Sequence, residues 1–223
     1  MNPQTIPGRR AGRRRLWLIL AAALALRLAL AAATQGYPYD MSCFVAWGDK
    51  LLAQGPAAFY SEGYFADYPP GYLPVLALAA ALRRLLGCGG ESPAGRVLLA
   101  LVPALGDCGV TGLVYALARR RLGDGRTTLC LTLFTAFNPL LLFDTALWKQ
   151  IDGAFMLPLL ACFLLLERRR YLPAAALYGL ALAIKPQALL AGPVLAVCFL
   201  AGVADAWSAG PRARARAVGR CFG

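Results

Sequence analysis

The chain contains no histidine, so any chemistry must use carboxylates, lysines, arginines, tyrosines or cysteines. Histidine is the most common general base and metal ligand in proteins, so Ser-His-Asp hydrolysis and histidine-ligated metal or haem centres are excluded. The seven cysteines include no Cys-x-x-Cys pair and lie mostly in apolar stretches, where a thiol behaves as a small apolar group.

The first group of candidate residues lies in the segment 34–71, which holds four carboxylates and a single basic residue, Lys50. Ten of the 23 aromatic residues fall between positions 37 and 72. Carboxylates among aromatic faces can bind a sugar, and a carboxylate at a membrane surface can also act as a general base. Asp40 and Asp67 are the candidates. An interfacial aromatic belt, in which Asp40 is only a helix cap, is the alternative.

Local sequence positions these two carboxylates. Asp40 is placed to cap a surface helix that ends at Gly55-Pro56. The predicted apolar face of that helix is formed by Met41, Phe44, Trp47 and Leu51. Asp67 precedes Tyr68 and two consecutive prolines, which stiffen the backbone around its carboxylate.

Polar residues interrupt the apolar sequence at two later places. The first is the segment 138–152, whose polar and aromatic residues include Asn138, Asp144, Trp148, Lys149, Gln150 and Asp152. Charges so close to hydrocarbon usually serve a cavity, although an ordinary polar turn is the alternative. The second is Lys185-Pro186-Gln187, where proline breaks a helix and Gln187 is expected to open a half-helix whose N-terminus favours a lipid phosphate. A proline kink with a snorkelling lysine is the alternative here.

The elements that must position these groups are membrane helices. Apolar residues make up 59% of the 223 residues, and the mean hydropathy is +0.57. A membrane span needs ~20 helical residues. The apolar stretches lie at about 16–33, 72–86, 97–118, 127–147, 151–166 and 171–204. They predict an all-α, polytopic transmembrane helical bundle, and their number excludes attachment to the surface alone.

Arginine runs between these stretches supply most of the net charge of +12. Such runs are typical of topology anchors rather than of nucleic-acid binding. If the stretch 72–86 crosses only in part, sixteen Lys and Arg residues are cytoplasmic and six are outside; if it crosses fully, the numbers are ten and twelve. The positive-inside rule therefore predicts a partial or re-entrant helix at 72–86. Segments 34–71, 144–152 and 185–187 then share the non-cytoplasmic side.

Arg27 and Asp107 are the charged residues deepest in the predicted spans. Both are expected near the middle of the membrane, where an ion pair between them would join two helices and serve a structural role. Because Arg27 interrupts the first apolar stretch, we expect an uncleaved helix there. A signal peptide that ends at Ala31-Ala32-Ala33 is the alternative.

The motifs Tyr39-Asp40, Phe44, Trp47, Phe59-Tyr60 and Asp67-Tyr68-Pro69-Pro70-Gly71-Tyr72 together resemble the first luminal loop of a known superfamily. This is the GT-C superfamily of glycosyltransferases, especially the lipid-phosphate-sugar-dependent glucosyltransferases of asparagine-linked glycosylation. The later motifs Asn138-Pro139, Trp148-Lys149-Gln150-Ile151-Asp152 and Ala183-Ile184-Lys185-Pro186-Gln187 look like bacterial mannosyltransferase-like polyprenyl-phosphate-sugar transferases. Each motif is short, but the resemblance in their order and spacing covers the chain from about residue 16 to residue 203.

The resemblance implies a multi-pass enzyme of the bacterial cell membrane. It implies transfer of a sugar, with inversion, from a polyprenyl-phosphate carrier to a glycan, lipid or protein acceptor at the non-cytoplasmic face. Asp40 matches the catalytic base, and Asp67 matches a residue that orients the acceptor or approaches a divalent cation. The residues implied around the substrates are Trp47, Tyr68, Lys149, Gln150, Asp152, Lys185 and Gln187. No cofactor is definite, and no metal ligand is assigned.

The expected organisation has three parts. They are a basic cytoplasmic N-terminus at 1–15, a transmembrane GT-C-like module at 16–204 whose large first non-cytoplasmic loop is 34–71, and a basic cytoplasmic tail at 205–223. Because members of the superfamily usually carry more spans, the chain is expected to be an N-terminal portion or a truncated reading frame. A transporter or flippase for a lipid-linked substrate and an inactive fragment are the alternatives. Carboxylates gathered on one face favour the enzyme over the transporter.

Overall fold

A computed structural model of the chain describes residues 7–208, and these residues form helices and no strand. The helices are α1 (Pro7–Ala33), α2 (Pro38–Gln54), α3 (Leu73–Leu85), α4 (Pro93–Leu122), α5 (Arg126–Ala136), α6 (Pro139–Leu142), α7 (Asp152–Glu167), α8 (Tyr171–Ile184) and α9 (Gly192–Ser208). A π-helix covers Phe143–Trp148, and 3-10 turns cover Pro56–Ala58 and Pro186–Ala191. The all-α prediction is confirmed. Most of the predicted basic tail lies outside the described residues.

Three helical segments are long and apolar enough to cross a membrane: Ala11–Ala33, Pro93–Leu122 and Arg126–Trp148. The apolar stretch 171–204 forms two shorter helical segments, Tyr171–Ile184 and Pro186–Gly202. α3 has 13 residues. At 1.5 Å per residue such a helix is ~20 Å long, which is less than the ~30 Å of hydrocarbon in a bilayer.

By internal contacts the described chain divides into two compact units. Unit 1 comprises the residues up to Ala66 together with Leu73–Ala154. Unit 2 comprises Asp67–Tyr72 and the residues from Phe155 onward.

A buried ion pair lies at the centre of unit 1. Nε of Arg27 in α1 donates to Oδ2 of Asp107 in α4 at 2.9 Å, and the two side chains are 1% and 2% exposed. Nη1 of Arg27 also donates to the backbone oxygen of Ala136 at 2.8 Å. The hydroxyl of Thr145 donates to Asp107 Oδ2 at 2.8 Å. The predicted pair is therefore confirmed, and it joins α1, α4, α5 and the π-helix at one point.

α2 begins earlier than the sequence pattern predicts. Pro38 is its first residue, Tyr37 is its N-cap without a side-chain bond, and Asp40 lies within the first turn. The expectation that Asp40 caps this helix is wrong, because proline suits the first helical position and starts the helix three residues earlier than a cap at Asp40 would. The buried face, Met41, Phe44, Trp47, Gly48 and Leu51, and the end at Gly55 with φ 77° follow the prediction.

α3 packs along α2. A Cβ atom on Gly48 of α2 would lie 2.7 Å from the backbone oxygen of Leu76, so the two helices approach closely. Arg83, in the last turn of α3, donates to Oδ1 of Asp49 at 2.9 Å. These contacts keep α3 beside the amphipathic α2.

Two of the arginine runs lie at one end of unit 1. Gly12 of α1 contacts Asp124 in the connection between α4 and α5, so the arginine runs 13–15 and 119–121 are close to each other. At the other end, Thr34 after α1 contacts Lys149 after the π-helix. The later runs, 168–170 and 212–220, belong to unit 2 or lie outside the described residues.

In unit 2 the segment Asp67–Tyr72 pairs with the end of α8. The N–H of Gly71 donates to the backbone oxygen of Ala183 at 2.8 Å, and a Cβ atom on Gly71 would lie 2.6 Å from that carbonyl. The predicted break is confirmed, since Lys185 has an extended backbone and ends α8. A second helical segment, Pro186–Gly202, follows the break, as predicted. Its first residues, Pro186–Ala191, form a 3-10 helix, and the α-helical part, α9, begins at Gly192.

Candidate active site

The Asp40 carboxylate is held by two side chains that lie more than a hundred residues further along the chain. Its Oδ2 accepts a hydrogen bond from Nε2 of Gln150 and another, at 3.3 Å, from Nε1 of Trp148. Asp40 is half-buried. Both donors bind the same oxygen, so they orient the carboxylate and leave Oδ1 to other partners.

Trp148 and Gln150 converge on Asp40 because the backbone turns at Lys149. In a regular helix, residues two apart project about 200° from each other and do not meet. Lys149 ends the π-helix with φ 69° and ψ 38°, which is the left-handed conformation. The N–H groups of Lys149 and Gln150 both donate to the backbone oxygen of Asp144. The change of direction lets both flanking side chains reach one carboxylate.

The ammonium group of Lys149 is buried behind this turn. The residue is 2% exposed, and Nζ donates to the backbone oxygen and the hydroxyl of Thr34 at 2.7 and 2.9 Å and to the backbone oxygen of Ala146 at 3.3 Å. The pKa of Lys149 is lowered to about 8, mainly by burial and also by the positive charge of Arg96, while Glu91 acts in the opposite direction. Lys149 therefore links the segment after α1 to the end of the π-helix.

An open apolar groove of about 210 Å³ adjoins the indole of Trp148. Its lining residues are Gly36, Tyr37, Phe143, Leu147 and Trp148. The Tyr37 and Trp148 rings are 5.5 Å apart, and the Tyr37 N–H donates to the backbone oxygen of Trp148 at 3.1 Å. The groove therefore lies directly beside Trp148, one of the two donors that hold Asp40.

Trp47 is 3% exposed, and it orders the loop that follows α2. Its indole N–H donates to the backbone oxygen of Phe65 at 3.0 Å, and the Trp47 and Phe65 ring centroids are 6.3 Å apart. Lys50 acts similarly, since its Nζ donates to the hydroxyl of Ser61 at 2.7 Å and lies 3.4 Å from the centre of the Tyr64 ring.

Unit 2 brings together two other groups of predicted site residues. The pairing of Gly71 with the end of α8 places the segment that contains Asp67 and Tyr68 next to the chain leading to Lys185. Asp67 and Gln187 are exposed, whereas Lys185 is 8% exposed with Nζ 5.9 Å from the centre of the Phe155 ring.

Asp152 belongs to unit 1, where it lies half-buried in the first turn of α7. Among residues 7–208, no three His, Cys, Asp or Glu side chains come together as a metal site. Thr34, which accepts two of the Lys149 hydrogen bonds, was not among the residues predicted from the sequence. In the sequence Thr34 is marked only as the first polar residue after a long apolar helix.

Apolar helices long enough to span a bilayer, with an oriented carboxylate at one end of unit 1, define a helical membrane protein. Residues 64–219, more than half of the chain, match the family model of glycosyltransferase family 87, a membrane glycosyltransferase family of the GT-C type. The chain therefore belongs to this family, and the predicted GT-C relationship is confirmed. No curated protein and no solved structure matches the chain.

The family match covers most of the predicted site residues, namely Asp67, Tyr68, Lys149, Gln150, Asp152, Lys185 and Gln187. Asp40 and Trp47 precede the matched region.

Proposed function

We propose that this membrane glycosyltransferase takes its sugar from a polyprenyl-phosphate carrier and that Asp40 is its general base. The proposed location is the non-cytoplasmic face of a bacterial cell membrane, with a glycan, lipid or protein as the acceptor. The observation that carries the proposal is the pair of hydrogen bonds from Trp148 and Gln150 to Asp40, beside an open apolar groove.

The proposed reaction is a single displacement. The acceptor oxygen or nitrogen attacks the anomeric carbon while Asp40 takes the proton of that O–H or N–H group through Oδ1. The new glycosidic bond forms as the bond between the anomeric carbon and the phosphate oxygen breaks. The polyprenyl phosphate leaves with the bonding electron pair, and the configuration of the anomeric carbon is inverted. The donors on Oδ2 contribute by holding the base in a fixed orientation.

The remaining residues have proposed roles around the substrates. The groove beside Trp148 is apolar, which suits the first isoprene units of a carrier at the end of a membrane-spanning helix. Lys185 is proposed to balance the charge of the departing phosphate, and Asp67 to orient the acceptor. Trp47, Tyr68, Asp152 and Gln187 are proposed to shape the substrate sites.

The test is sugar transfer by the purified chain in nanodiscs, measured with a panel of short-chain polyprenyl-phosphate sugars. Asp40→Asn keeps the size and a hydrogen-bonding oxygen of the side chain but removes its basicity, so transfer should fall on the order of 100-fold or more. Donor binding and the size-exclusion profile should stay at wild-type values. Glu62→Gln, which changes an exposed carboxylate in the same loop, is the matched control and should transfer normally.

Undiminished transfer by Asp40→Asn would overturn the role of Asp40. Equal losses in Asp40→Asn and Glu62→Gln would do the same, because they would reflect loop charge rather than a base. A wild-type chain that binds the lipid-linked donors but never transfers sugar would instead favour the transporter or inactive fragment.

A further inference from the structure

We propose that Lys149 is a positioning residue: its ammonium group fastens the end of the π-helix to Thr34 and so maintains the turn that directs Trp148 and Gln150 to Asp40. This inference rests on the proposed role of Asp40 as the base. It gives Lys149 a role different from that of a substrate-binding cation, which the resemblance implied.

The hydrogen bonds of the ammonium group support this role. A lysine ammonium has three N–H donors, and the acceptors here are the backbone oxygen of Thr34, its hydroxyl and the backbone oxygen of Ala146. Because these acceptors match the number of donors and the residue is 2% exposed, its charge is directed into the protein. A cation that binds a phosphate would need at least one N–H directed at the ligand.

The backbone of Lys149 gives a second, independent indication. Left-handed φ values are uncommon outside Gly, Asn and Asp, and they persist where the surrounding structure imposes them. Lys149 adopts φ 69° although nothing in its side chain favours this conformation. The surroundings include Gly36, at which a Cβ atom would lie 2.9 Å from Cδ of Lys149. The lysine stem is thus enclosed by the chain that connects α1 to α2.

The consequence for the site follows from helix geometry. Without the left-handed turn, the side chains of Trp148 and Gln150 would project in nearly opposite directions and could not both donate to Oδ2 of Asp40. A loosened turn should therefore leave a correctly folded chain whose base is misoriented. Misplacement of a reacting group by about 1 Å can reduce a rate on the order of 100-fold.

The main test compares Lys149→Met with Arg120→Met in the nanodisc transfer assay. Methionine removes the charge and keeps an apolar stem, and Arg120 is an exposed basic residue of the same unit, in the last turn of α4. Lys149→Met should reduce kcat on the order of 10- to 100-fold with KM for the donor unchanged. Arg120→Met should keep the wild-type kcat. A raised KM with unchanged kcat would overturn the proposal, because it would indicate direct binding of the donor.

A second comparison separates positioning from general destabilisation. In an Asp40→Asn background, Lys149→Met should add no further loss of transfer, because residues that act as one unit are not additive. A destabilised chain would instead lose activity in both backgrounds, and that result would contradict the proposal. Lys149→Gly should retain about fivefold more folded protein relative to unfolded than Lys149→Ala, because glycine adopts the left-handed turn without a steric cost.

A measurement that does not depend on activity tests the turn itself. Lys149→Met should accelerate hydrogen exchange at the amides of Lys149 and Gln150, which donate to Asp144. Arg120→Met should leave that exchange unchanged. Accelerated exchange in a chain that shows no transfer at all would refute only the proposed function. Unchanged exchange in Lys149→Met would refute the positioning role, whatever the activity.

Discussion

Replacing Asp107 by Ala should reduce the folding yield of the protein far more than it alters donor binding. Asp107 accepts hydrogen bonds from Arg27 and Thr145, and its side chain is 2% exposed. The substitution leaves the Arg27 guanidinium as a buried charge without its carboxylate partner. Its remaining hydrogen bonds go to backbone oxygens of Ala23 and Ala136, which do not neutralise it.

The expected cost follows from measurements on other buried pairs. Removing one partner of such a pair costs about 3–5 kcal/mol, whereas replacing both partners by apolar residues is often neutral or stabilising. For a chain of this size a loss of about 3–5 kcal/mol lowers Tm by roughly 6–20 °C. The double substitution Arg27→Met and Asp107→Leu should recover most of this loss. In the described structure Nη2 of Arg27 is buried without a hydrogen-bond partner. Replacing Arg27 by Met removes this unpaired donor, which contributes to the recovery of stability in the double variant.

The assay is thermal unfolding in nanodiscs together with size exclusion and binding of a lipid-linked donor. Thr145→Val is the matched control, because it removes one hydrogen bond to Asp107 and leaves the ion pair in place. Thr145→Val should lower the free energy of unfolding by only about 1 kcal/mol. An Asp107→Ala chain with wild-type Tm and a selective loss of donor binding would refute the structural role. A double variant no more stable than Asp107→Ala would refute the argument from an unpaired charge.

Two further predictions concern backbone contact and protonation. Gly106→Ala should lower Tm, because its Cβ atom would lie 2.2 Å from a backbone oxygen of another segment. A Cβ atom on Gly112, in the same helix, would meet open space, so Gly112→Ala should stabilise the chain by about 0.5–1 kcal/mol. Equal effects of the two substitutions on Tm would contradict the close contact at Gly106. Burial lowers the pKa of Lys149 from 10.5 to about 8, so the unfolded chain binds more protons than the folded chain between these values. The stability of wild type relative to Lys149→Met should therefore be constant below pH 8 and rise from pH 8 towards 10.5. Thermal unfolding of both chains at pH 7 and 9.5 measures this difference, and a difference that falls with pH would show that the sign is wrong.

Features that depend on local pattern were predictable from the sequence. The spacing of Met41, Phe44, Trp47 and Leu51 predicted the buried face of α2, since helical periodicity is a property of neighbouring residues. Lys185-Pro186 predicted the break after α8, because proline constrains the residue before it. The pairing of Arg27 with Asp107 was predictable for a different reason. Two isolated charges within apolar stretches have few other partners.

The local pattern was not sufficient for the geometry of the candidate site. The hydrogen bond between Asp40 and Gln150 joins residues 110 positions apart, and no periodicity encodes such a contact. A left-handed turn is usually indicated by glycine or asparagine. At this turn the residue is Lys149, so its conformation depends on tertiary contacts with Thr34 and Ala146. Sequence alone therefore located the polar segments but could not show which side chains meet.

Asp40 and its two hydrogen-bond donors lie on different sides of the residue at which the family match begins. Family 87 is recognised from residue 64 onward, whereas the proposed base, Asp40, lies before that point. Yet both donors to Asp40, Trp148 and Gln150, lie inside the matched region. The matched region therefore supplies the side chains that hold the Asp40 carboxylate, and the preceding segment supplies that carboxylate. Because one carboxylate oxygen depends on both segments, a change at Trp148 or Gln150 should affect Asp40 although neither residue is its neighbour in the sequence.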